Sequence, residues 1–359
     1  MEKLRVGMIG TGKLAGMHIK AYRSNPQVEL VSVCDVNAER AKQFAAEAGI
    51  NKAYADYREM VASDRLDAVS IVTWNNTHAP IAIAALEAGK HVLCEKPPAL
   101  NAAEALLMLK ASKKSNKLLM YGFVKRFAQN VQVMQKFIEN GDLGEIYFAK
   151  TGYLRRCGNP GGWFTTKALS GGGPLIDLGV HIIDLSMYLM GKPKPVSVFG
   201  STYDRIGSRA NIQGYSWYRA ADYNTKVNEV EDFANAIIKF ENGASLYFET
   251  SWAMNLTKDT VYSQFFGDKG GADLEPEFTI YAEKLDYLVN YRPVLDSYTF
   301  DLEDAFAAEI NHFVDCIVNG SDCICPAEDG LTVMKILDAV YESAKTGNVV
   351  KLSLFHSRE

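Results

Sequence analysis

The sequence lacks the features of membrane and secreted proteins. No stretch approaches the roughly 20 apolar residues that a membrane span requires, and the N-terminal MEKLRVGMIGTGK contains no signal-peptide apolar region. The six cysteines are scattered along 359 residues without disulfide spacing, a pattern typical of reduced thiols. We therefore expect a cytoplasmic protein without membrane contacts.

Positive charge is also scarce. Lysine and arginine number 38 against 43 aspartates and glutamates, so the net charge is -5. A protein that binds a nucleic-acid backbone needs clustered basic residues, and we expect no nucleic-acid partner. The composition, 48% hydrophobic and 23% charged, is that of a globular protein long enough for two domains.

The first part of the chain alternates strand-like and helix-like segments. The expected strands are residues 4–10, 28–35, 68–73 and 91–95, and the expected helices are residues 13–25, 37–48 and 80–88. Strands that alternate with helices of this length form βαβ units and a parallel sheet. Residues 1–124 are therefore predicted to form a doubly wound domain.

After about residue 125, strand-like segments follow one another directly. The expected strands are residues 146–153, 196–203, 233–240 and 244–250, and the expected helices are residues 131–140, 175–190, 304–318 and 329–345. Glu241-Asn242-Gly243 stands between the last two strands and is a hairpin signal. Residues 125–359 are predicted to form a second α/β domain with a large, mainly antiparallel open sheet.

Residues 10–15, G-T-G-K-L-A, follow the first expected strand and open the first helix. Gly10 permits a tight turn, Gly12 lets the backbone approach a pyrophosphate, and Ala15 lets the helix pack closely on the strand. The helix N-terminus attracts the negative charge. The segment predicts a dinucleotide site that includes Gly10, Gly12, Lys13, Leu14 and Ala15.

Asp35 ends the second expected strand. A carboxylate about 20 residues beyond the glycine turn accepts hydrogen bonds from the ribose hydroxyls and repels a 2′-phosphate. NAD is therefore predicted, with NADP less favoured, although Arg40 lies close in sequence. The alternative is that Asp35 only caps a loop.

Two further segments place polar residues where a ligand would bind. Lys96 follows the strand 91–95 in the run E-K-P-P, and the carboxyl ends of strands face the ligand crevice of a doubly wound sheet. After the glycine run G-G-G-P, the spacing of Asp177, His181 and Asp184 places them on one helix face. A solvated lysine and a structural Asp–His pair are the alternatives.

In order and spacing, the G-x-G-x-x-A turn, the E-K-P run and the G-G-G…D-x-x-x-H helix resemble the glucose–fructose oxidoreductase / inositol dehydrogenase (Gfo/Idh/MocA) family, over nearly the whole chain. The resemblance implies an N-terminal Rossmann domain for the nicotinamide cofactor. It also implies a C-terminal domain for the substrate and for the contacts of a homodimer or homotetramer. The family's catalytic trio falls on Lys96, Asp177 and His181, and a cis bond is implied before Pro97.

Other positions match the family less specifically. T-W-N-N-T-H at residues 73–78 takes the place of its T-P-N-x-x-H segment, with Trp74 where a proline is usual. The cofactor contacts implied in addition to the glycine turn and Asp35 are Thr73, Asn75, His78, Glu95, Lys96 and Trp163. The substrate contacts implied are Lys96, Arg126, Asp177 and His181. Packing roles remain the alternative for Thr73, Asn75, His78, Arg126 and Trp163.

These residues predict an NAD-dependent dehydrogenase that takes a hydride from a secondary hydroxyl of a sugar, glycoside or cyclic polyol. His181 is the expected base, Asp177 orients it, and Lys96 donates a hydrogen bond to the reacting oxygen; Lys96 as the base is the alternative. A redox-neutral glycosidase that oxidises its sugar transiently and a non-catalytic NAD-binding sensor are the alternative functions. The sequence does not specify the sugar.

Near the C-terminus, His312 and Cys316 share a helix face, and Cys323-Ile324-Cys325 follows. These are residue types that bind zinc. However, the C-x-C spacing matches no common zinc pattern, and free cysteines are often buried as small apolar residues. We therefore predict no metal site.

Overall fold

The computed structural model describes residues 2–63, 65–295 and 300–352. The chain divides into two compact units, residues 1–127 with 301–331, and residues 128–300 with 332–359. Among the described residues, no helix is long and apolar enough to cross a membrane.

The first unit is built on a six-stranded parallel sheet with the order β3-β2-β1-β4-β5-β6. Its strands are β1 (Leu4–Ile9), β2 (Val28–Cys34), β3 (Ala53–Tyr54), β4 (Ala68–Ile71), β5 (His91–Glu95) and β6 (Leu119–Gly122). The helices between them are α1 (Ala15–Ser24), α2 (Ala38–Glu47), α3 (Tyr57–Val61), α4 (Asn75–Glu87) and α5 (Ala102–Ser115). The strand order reverses between β1 and β4, which confirms the predicted doubly wound sheet and creates the crevice where such sheets bind ligands.

The helix predicted for residues 80–88 begins five residues earlier, at Asn75, so that start was wrong. Thr77 donates two hydrogen bonds to the Trp74 carbonyl, from its backbone N–H at 3.0 Å and from its hydroxyl at 2.8 Å. These bonds close the first helical turn ahead of Pro80, which lies inside the helix. The polar T-W-N-N-T-H segment is therefore partly helical.

The second unit is built on a nine-stranded sheet with the order β14-β13-β12-β11-β7-β10-β9-β8-β15. Its helices are α6 (Gln129–Glu139), α7 (Lys167–Ser170) and α8 (Val180–Leu189). Its strands are β7 (Ile146–Leu154), β8 (Pro195–Tyr203), β9 (Phe233–Phe240), β10 (Ser245–Ser251), β11 (Thr260–Gly267), β12 (Gly270–Glu275), β13 (Thr279–Lys284), β14 (Tyr287–Tyr291) and β15 (Val350–Lys351).

The described strand pairs of this sheet are antiparallel except β7 with β10, which confirms a mainly antiparallel sheet. The predicted hairpin joins β9 to β10. There, Phe240 N donates to Ala244 O at 3.0 Å, and Gly243 adopts a φ of 88° that few other residues tolerate.

Two long helices follow, α9 (Leu302–Val318) and α10 (Ala327–Thr346). Asp301 caps α9 by accepting a hydrogen bond from Asp304 N at 3.0 Å. Helix α9 packs on α1, where the rings of His18 and Phe306 lie 5.2 Å apart. Residues 301–331 consequently belong to the first compact unit.

Candidate functional site

The glycine turn between β1 and α1 has one tight and one open position. Gly10 has a φ of 97°, and a Cβ there would lie 2.5 Å from the Val72 carbonyl oxygen, so only glycine fits. A Cβ at Gly12 would meet no atom within 4 Å. Ala15 is fully buried where α1 begins. The open backbone at Gly12, beside a helix N-terminus, fits a pyrophosphate group.

The carboxylate of Asp35 is held by the glycine turn itself. Thr11 donates to Oδ2 from its backbone N–H at 3.0 Å and from its hydroxyl at 2.8 Å, and Asn37 N donates to Oδ1 at 2.9 Å. Arg40 Nη2 donates to Oδ1 at 2.7 Å. Burial acts to raise the pKa of Asp35, but the hydrogen bonds from Arg40, Asn37 and Thr11 outweigh it and lower the pKa. A charged carboxylate therefore lies beside the turn.

His78 connects two of the segments that were predicted to contact the cofactor. Its ring is fully buried, with Nδ1 2.8 Å from the Pro97 carbonyl oxygen and Nε2 3.2 Å from that of Thr73. Burial lowers the pKa of His78. A neutral imidazole carries a proton on only one nitrogen and so donates one hydrogen bond. The shorter contact, from Nδ1 to the Pro97 carbonyl oxygen, is that hydrogen bond. The Lys96–Pro97 bond is cis, as the resemblance implied.

Glu95 lies in a buried hydrogen-bond chain that the sequence did not predict. His18 Nε2 donates to Glu95 Oε1 at 2.8 Å, and His18 Nδ1 lies 3.0 Å from the hydroxyl of Ser70, which accepts from Tyr22 at 3.2 Å. The other Glu95 oxygen accepts from Lys96 N at 3.1 Å. His18 thus links Ser70 to Glu95 through its two ring nitrogens, and the chain fixes the backbone where Lys96 begins. The one available signal was a histidine on the buried face of α1.

In the second unit, the helix predicted for residues 175–190 has two parts. Leu175–Gly179 is a π-helical turn, and α8 continues from Val180. Among residues 172–187, Asp177 and His181 alone are partly exposed. Asp184, which the spacing placed on the same face, is 1% exposed, because residues three positions apart on an α-helix point about 60° apart around its axis. The helix therefore presents Asp177 and His181 together.

The glycine run before this helix packs around a buried carboxylate. Glu231 Oε1 accepts hydrogen bonds from Gly173 N at 3.0 Å, Leu175 N at 3.1 Å and the Tyr341 hydroxyl at 3.0 Å. A Cβ added at Gly172 would lie 1.9 Å from Tyr341 Oη, and a Cβ added at Gly173 would lie 2.2 Å from the Glu231 carbonyl oxygen. Burial raises the pKa of Glu231. Glu231 is thus the cap that positions the helix of Asp177, and no sequence pattern indicated this role.

Asp177 accepts a hydrogen bond at Oδ2 from the indole nitrogen of Trp252, at 3.0 Å. Trp252 is fully buried and forms a small core cluster with Leu178 and Val230, against which Phe164 packs. The carboxylate orientation is therefore set by a rigid aromatic side chain.

Cationic and aromatic side chains surround Asp177. Arg155 Nη2 donates to the Tyr153 hydroxyl at 3.3 Å. Burial acts to lower the pKa of Arg155, but the charges of Tyr153 and Asp177 and the Tyr153 hydrogen bond raise it. Tyr218 is 47% exposed, and burial together with the Asp177 charge raises its pKa. Arg155 and Tyr218 were not among the predicted site residues, although Arg155 belongs to a loop with an evident cluster of arginines.

Trp163 and Arg126, both predicted site residues, have well-defined surroundings. Trp163 is partly exposed, with its ring centroid 3.9 Å from that of Phe164, and its backbone N–H donates to Asp222 at 3.0 Å. Arg126, in the first unit, is 1% exposed and pairs with Asp329 at 2.8 Å. The cofactor role of Trp163 and the substrate role of Arg126 stay predictions.

The remaining predicted cofactor residues lie at the N-termini of α1 and α4. Lys13 is exposed and Leu14 partly exposed immediately before α1, while Asn75 is 6% exposed at the first residue of α4. The hydroxyl oxygens of Thr73 and Thr77 lie 2.7 Å apart. The first unit therefore brings together a glycine turn, a carboxylate, the first turn of α4 with His78, and the loop that carries Lys96.

Two family models match the chain. The model described as "Oxidoreductase family, NAD-binding Rossmann fold" matches residues 4–123. The model described as "Oxidoreductase family, C-terminal alpha/beta domain" matches residues 135–352. Both are models of the Gfo/Idh/MocA family.

Individual relatives match over nearly the full length. The chain is 36% identical over 354 residues to D-glucoside 3-dehydrogenase of Escherichia coli K12, covering 97% of each chain. It is 27% identical over 361 residues to myo-inositol 2-dehydrogenase of Thermotoga maritima, covering 97% of this chain and 98% of the relative. A solved levoglucosan dehydrogenase in complex with NADH and levoglucosan superposes with a TM-score of 0.85 at 25% identity, covering 98% of this chain and 100% of that one.

Proposed function

Since the chain belongs to the Gfo/Idh/MocA oxidoreductase family, we propose that it oxidises a glucoside or closely related sugar at a secondary hydroxyl, with NAD as the hydride acceptor. The predicted family, the NAD cofactor and the dehydrogenase class agree with the relatives. The 3-hydroxyl is proposed because D-glucoside 3-dehydrogenase shares 36% identity along 97% of the chain. Residues 1–124 would hold the cofactor, and residues 125–359 the substrate.

The observation that carries the proposal is that Asp177 and His181 are the only partly exposed residues between positions 172 and 187. An aspartate whose carboxylate is held by Trp252 and interacts with the charge of Arg155 can orient a neighbouring imidazole. An unperturbed histidine titrates near neutral pH, which suits a general base. A histidine with such a neighbour supplies what alcohol oxidation requires of a protein.

The reaction separates a secondary alcohol into a ketone, a hydride and a proton. When bound, NAD supplies the acceptor for the hydride that leaves the carbinol carbon with its electron pair. His181 accepts the hydroxyl proton, and Asp177 stabilises the imidazolium that results. The Lys96 ammonium donates a hydrogen bond to the reacting oxygen and stabilises its developing negative charge. Lys96 starts from a backbone fixed by the His18–Glu95 chain.

The cofactor fits the residues of the first unit. The open backbone at Gly12 would receive the pyrophosphate, and Asp35 would accept ribose hydroxyls. The other residues proposed to contact the cofactor are Gly10, Lys13, Leu14, Ala15, Thr73, Asn75, His78, Glu95, Lys96 and Trp163.

The aromatic and cationic groups around Asp177 support a sugar rather than an acyclic alcohol. A sugar ring has apolar faces and a polar rim, so it packs on aromatic rings while its hydroxyls bond to charged groups. Tyr218 and Arg155 offer these two kinds of contact beside Asp177. We assign them to the substrate, together with the predicted contacts Lys96, Arg126, Asp177 and His181.

The test is the formation of NADH, followed by its absorbance, with NAD or NADP and a panel of glucosides, free sugars and inositols. We expect steady NADH formation with a glucoside, and its loss in His181→Ala and Lys96→Ala, with NAD binding retained in His181→Ala. Detection of a 3-keto sugar among the products would support oxidation at the 3-hydroxyl. Oxidation of inositol alone would contradict the glucoside proposal, and sugar release without net NADH would indicate a redox-neutral glycosidase.

We also propose a homodimer or homotetramer in the cytoplasm. Phe199, Ile237 and Tyr247 are cross-strand neighbours on one face of the nine-stranded sheet, where Phe199 and Ile237 are 49% and 48% exposed. An exposed apolar row in a sheet favours contact with another copy. All six cysteines are free, in agreement with a reducing compartment. Light scattering of the wild type and of Ile237→Lys tests the interface, and a monomeric wild type would contradict it.

A further inference from the structure

Three potential metal ligands of the first unit meet at the end of α9. His312 and Cys316 lie on its last turns, and Cys323 lies in the loop before α10. One ligand atom from each side chain lies within 4.8 Å of the other two. The sequence predicted no metal site here, but from this geometry we propose that His312, Cys316 and Cys323 bind a zinc ion or another thiophilic divalent cation.

The spacing of these atoms suits tetrahedral zinc. Zn–S bonds of about 2.3 Å and Zn–N bonds of about 2.0 Å place neighbouring ligand atoms roughly 3.4–3.8 Å apart. The distance from His312 Nε2 to Cys316 Sγ is 3.4 Å. The other pairs, within 4.8 Å, reach this spacing through side-chain shifts of about 1 Å.

The surrounding residues hold the ligands in place. The His312 ring packs on Phe127 with centroids 5.6 Å apart. Arg126, 1% exposed, donates to the Ile324 carbonyl oxygen and so anchors the segment that follows Cys323. Contacts of this kind orient metal ligands in established sites.

The donor set also selects the cation. Two thiols and an imidazole favour zinc or cadmium over magnesium or calcium, which prefer oxygen. Two thiolates would neutralise a divalent charge. Ile324 N donates to His312 Nε2 at 3.0 Å, and a bound cation would displace this hydrogen bond. All three ligands are partly exposed, so water can complete the tetrahedron.

Such an ion would be structural. It would tie the loop of residues 319–326 to the last turns of α9, inside the unit that carries the glycine turn. Because none of the three ligands belongs to the proposed catalytic machinery, zinc binding is measurable whatever the substrate proves to be.

The test uses the full chain, reduced with a phosphine, stripped by a chelator and dialysed against zinc. We expect one zinc per chain by elemental analysis, and its loss in His312→Ala, Cys316→Ser and Cys323→Ser. Cys157→Ser, which changes a buried thiol of the second unit, is the matched control and should keep the zinc. The Cys323→His variant should still bind zinc, because the introduced imidazole replaces the thiol as a ligand. If Cys323 only packed against its neighbours, this substitution would not preserve zinc binding.

Thiol alkylation read by mass spectrometry provides a second measurement. Zinc should slow the alkylation of Cys316 and Cys323 and leave the alkylation rate of Cys157 unchanged. Circular dichroism of each variant separates loss of the ligand from loss of folding. The proposal is overturned if the reduced, folded wild type binds no more zinc than Cys316→Ser. It is also overturned if zinc leaves the reactivity of both thiols unchanged.

Discussion

The indole N–H of Trp252 donates a hydrogen bond to Asp177 Oδ2 at 3.0 Å. The two residues are 75 positions apart and meet because β10, which ends one residue before Trp252, lies beneath the π-helical turn of Asp177. A buried ring has little rotational freedom, so the carboxylate has a defined direction. In the proposed mechanism this direction decides how well Asp177 supports His181.

Trp252→Phe keeps most of the ring volume and removes the donor. A hydrogen bond to a charged group contributes about 1.5–3 kcal/mol, so we expect kcat to fall roughly 10- to 100-fold with a smaller change in KM. The measurement is steady-state kinetics with the substrate found in the panel. Trp217→Phe, which removes an indole bond to the Asn159 carbonyl, is the control. Equal effects in both variants would argue against a specific role for Trp252.

Gly10→Ala and Gly12→Ala should have different consequences. At Gly10 the positive φ and a Cβ 2.5 Å from the Val72 oxygen should destabilise the fold by more than about 1–2 kcal/mol. At Gly12 the added methyl meets no protein atom, so the fold should persist while NAD affinity drops. Thermal unfolding and NAD titration by calorimetry check both. Unchanged NAD affinity in a folded Gly12→Ala would contradict the pyrophosphate assignment.

Asp35→Ser should shift the cofactor preference toward NADP. The substitution removes the carboxylate that repels a 2′-phosphate and releases Arg40, which pairs with it at 2.7 Å. We expect the NADP to NAD ratio of kcat/KM to rise by about tenfold or more, since roughly 1.4 kcal/mol of changed binding corresponds to that factor. Adding Arg40→Ala should cancel the gain. A gain that survives this second substitution would show that Arg40 is not the phosphate partner.

The Glu231 carboxyl should make folding stability depend on pH. Its ordinary pKa of 4.5 applies to the unfolded chain, and burial raises the pKa in the folded protein. At a pH between these two pKa values, the Glu231 carboxyl has lost its proton in the unfolded chain but keeps it in the folded protein. The free energy of unfolding therefore falls as pH rises through this window, by at most about 1.4 kcal/mol per pH unit.

The amide introduced by Glu231→Gln cannot ionise, so the stability of this variant should lose the pH dependence. Its midpoint of urea unfolding should therefore rise relative to that of the wild type as pH increases. Glu229→Gln, an exposed neighbour that accepts a hydrogen bond from Lys167 N, should follow the wild type. Parallel pH profiles for the wild type and Glu231→Gln would refute the predicted effect.

Much of both units was predictable because the determinants of their local structure lie close together in the sequence. The G-x-G-x-x-A turn, the strand that ends at Glu95 and the hairpin at Gly243 each depend on residues a few positions apart. The start of α4 was missed because Pro80 resembles a helix start, whereas Thr77 closes the turn before it.

The sequence alone determined the alternation of strands and helices, the dinucleotide turn and the candidate residues Lys96, Asp177 and His181. Tertiary structure decided their partners, namely His18 for Glu95, Glu231 for the glycine run and Trp252 for Asp177. It also brought His312, Cys316 and Cys323 together and packed α9 on α1. Periodicity and turn chemistry act over a few residues, whereas these contacts join positions that only strand order and helix packing bring close.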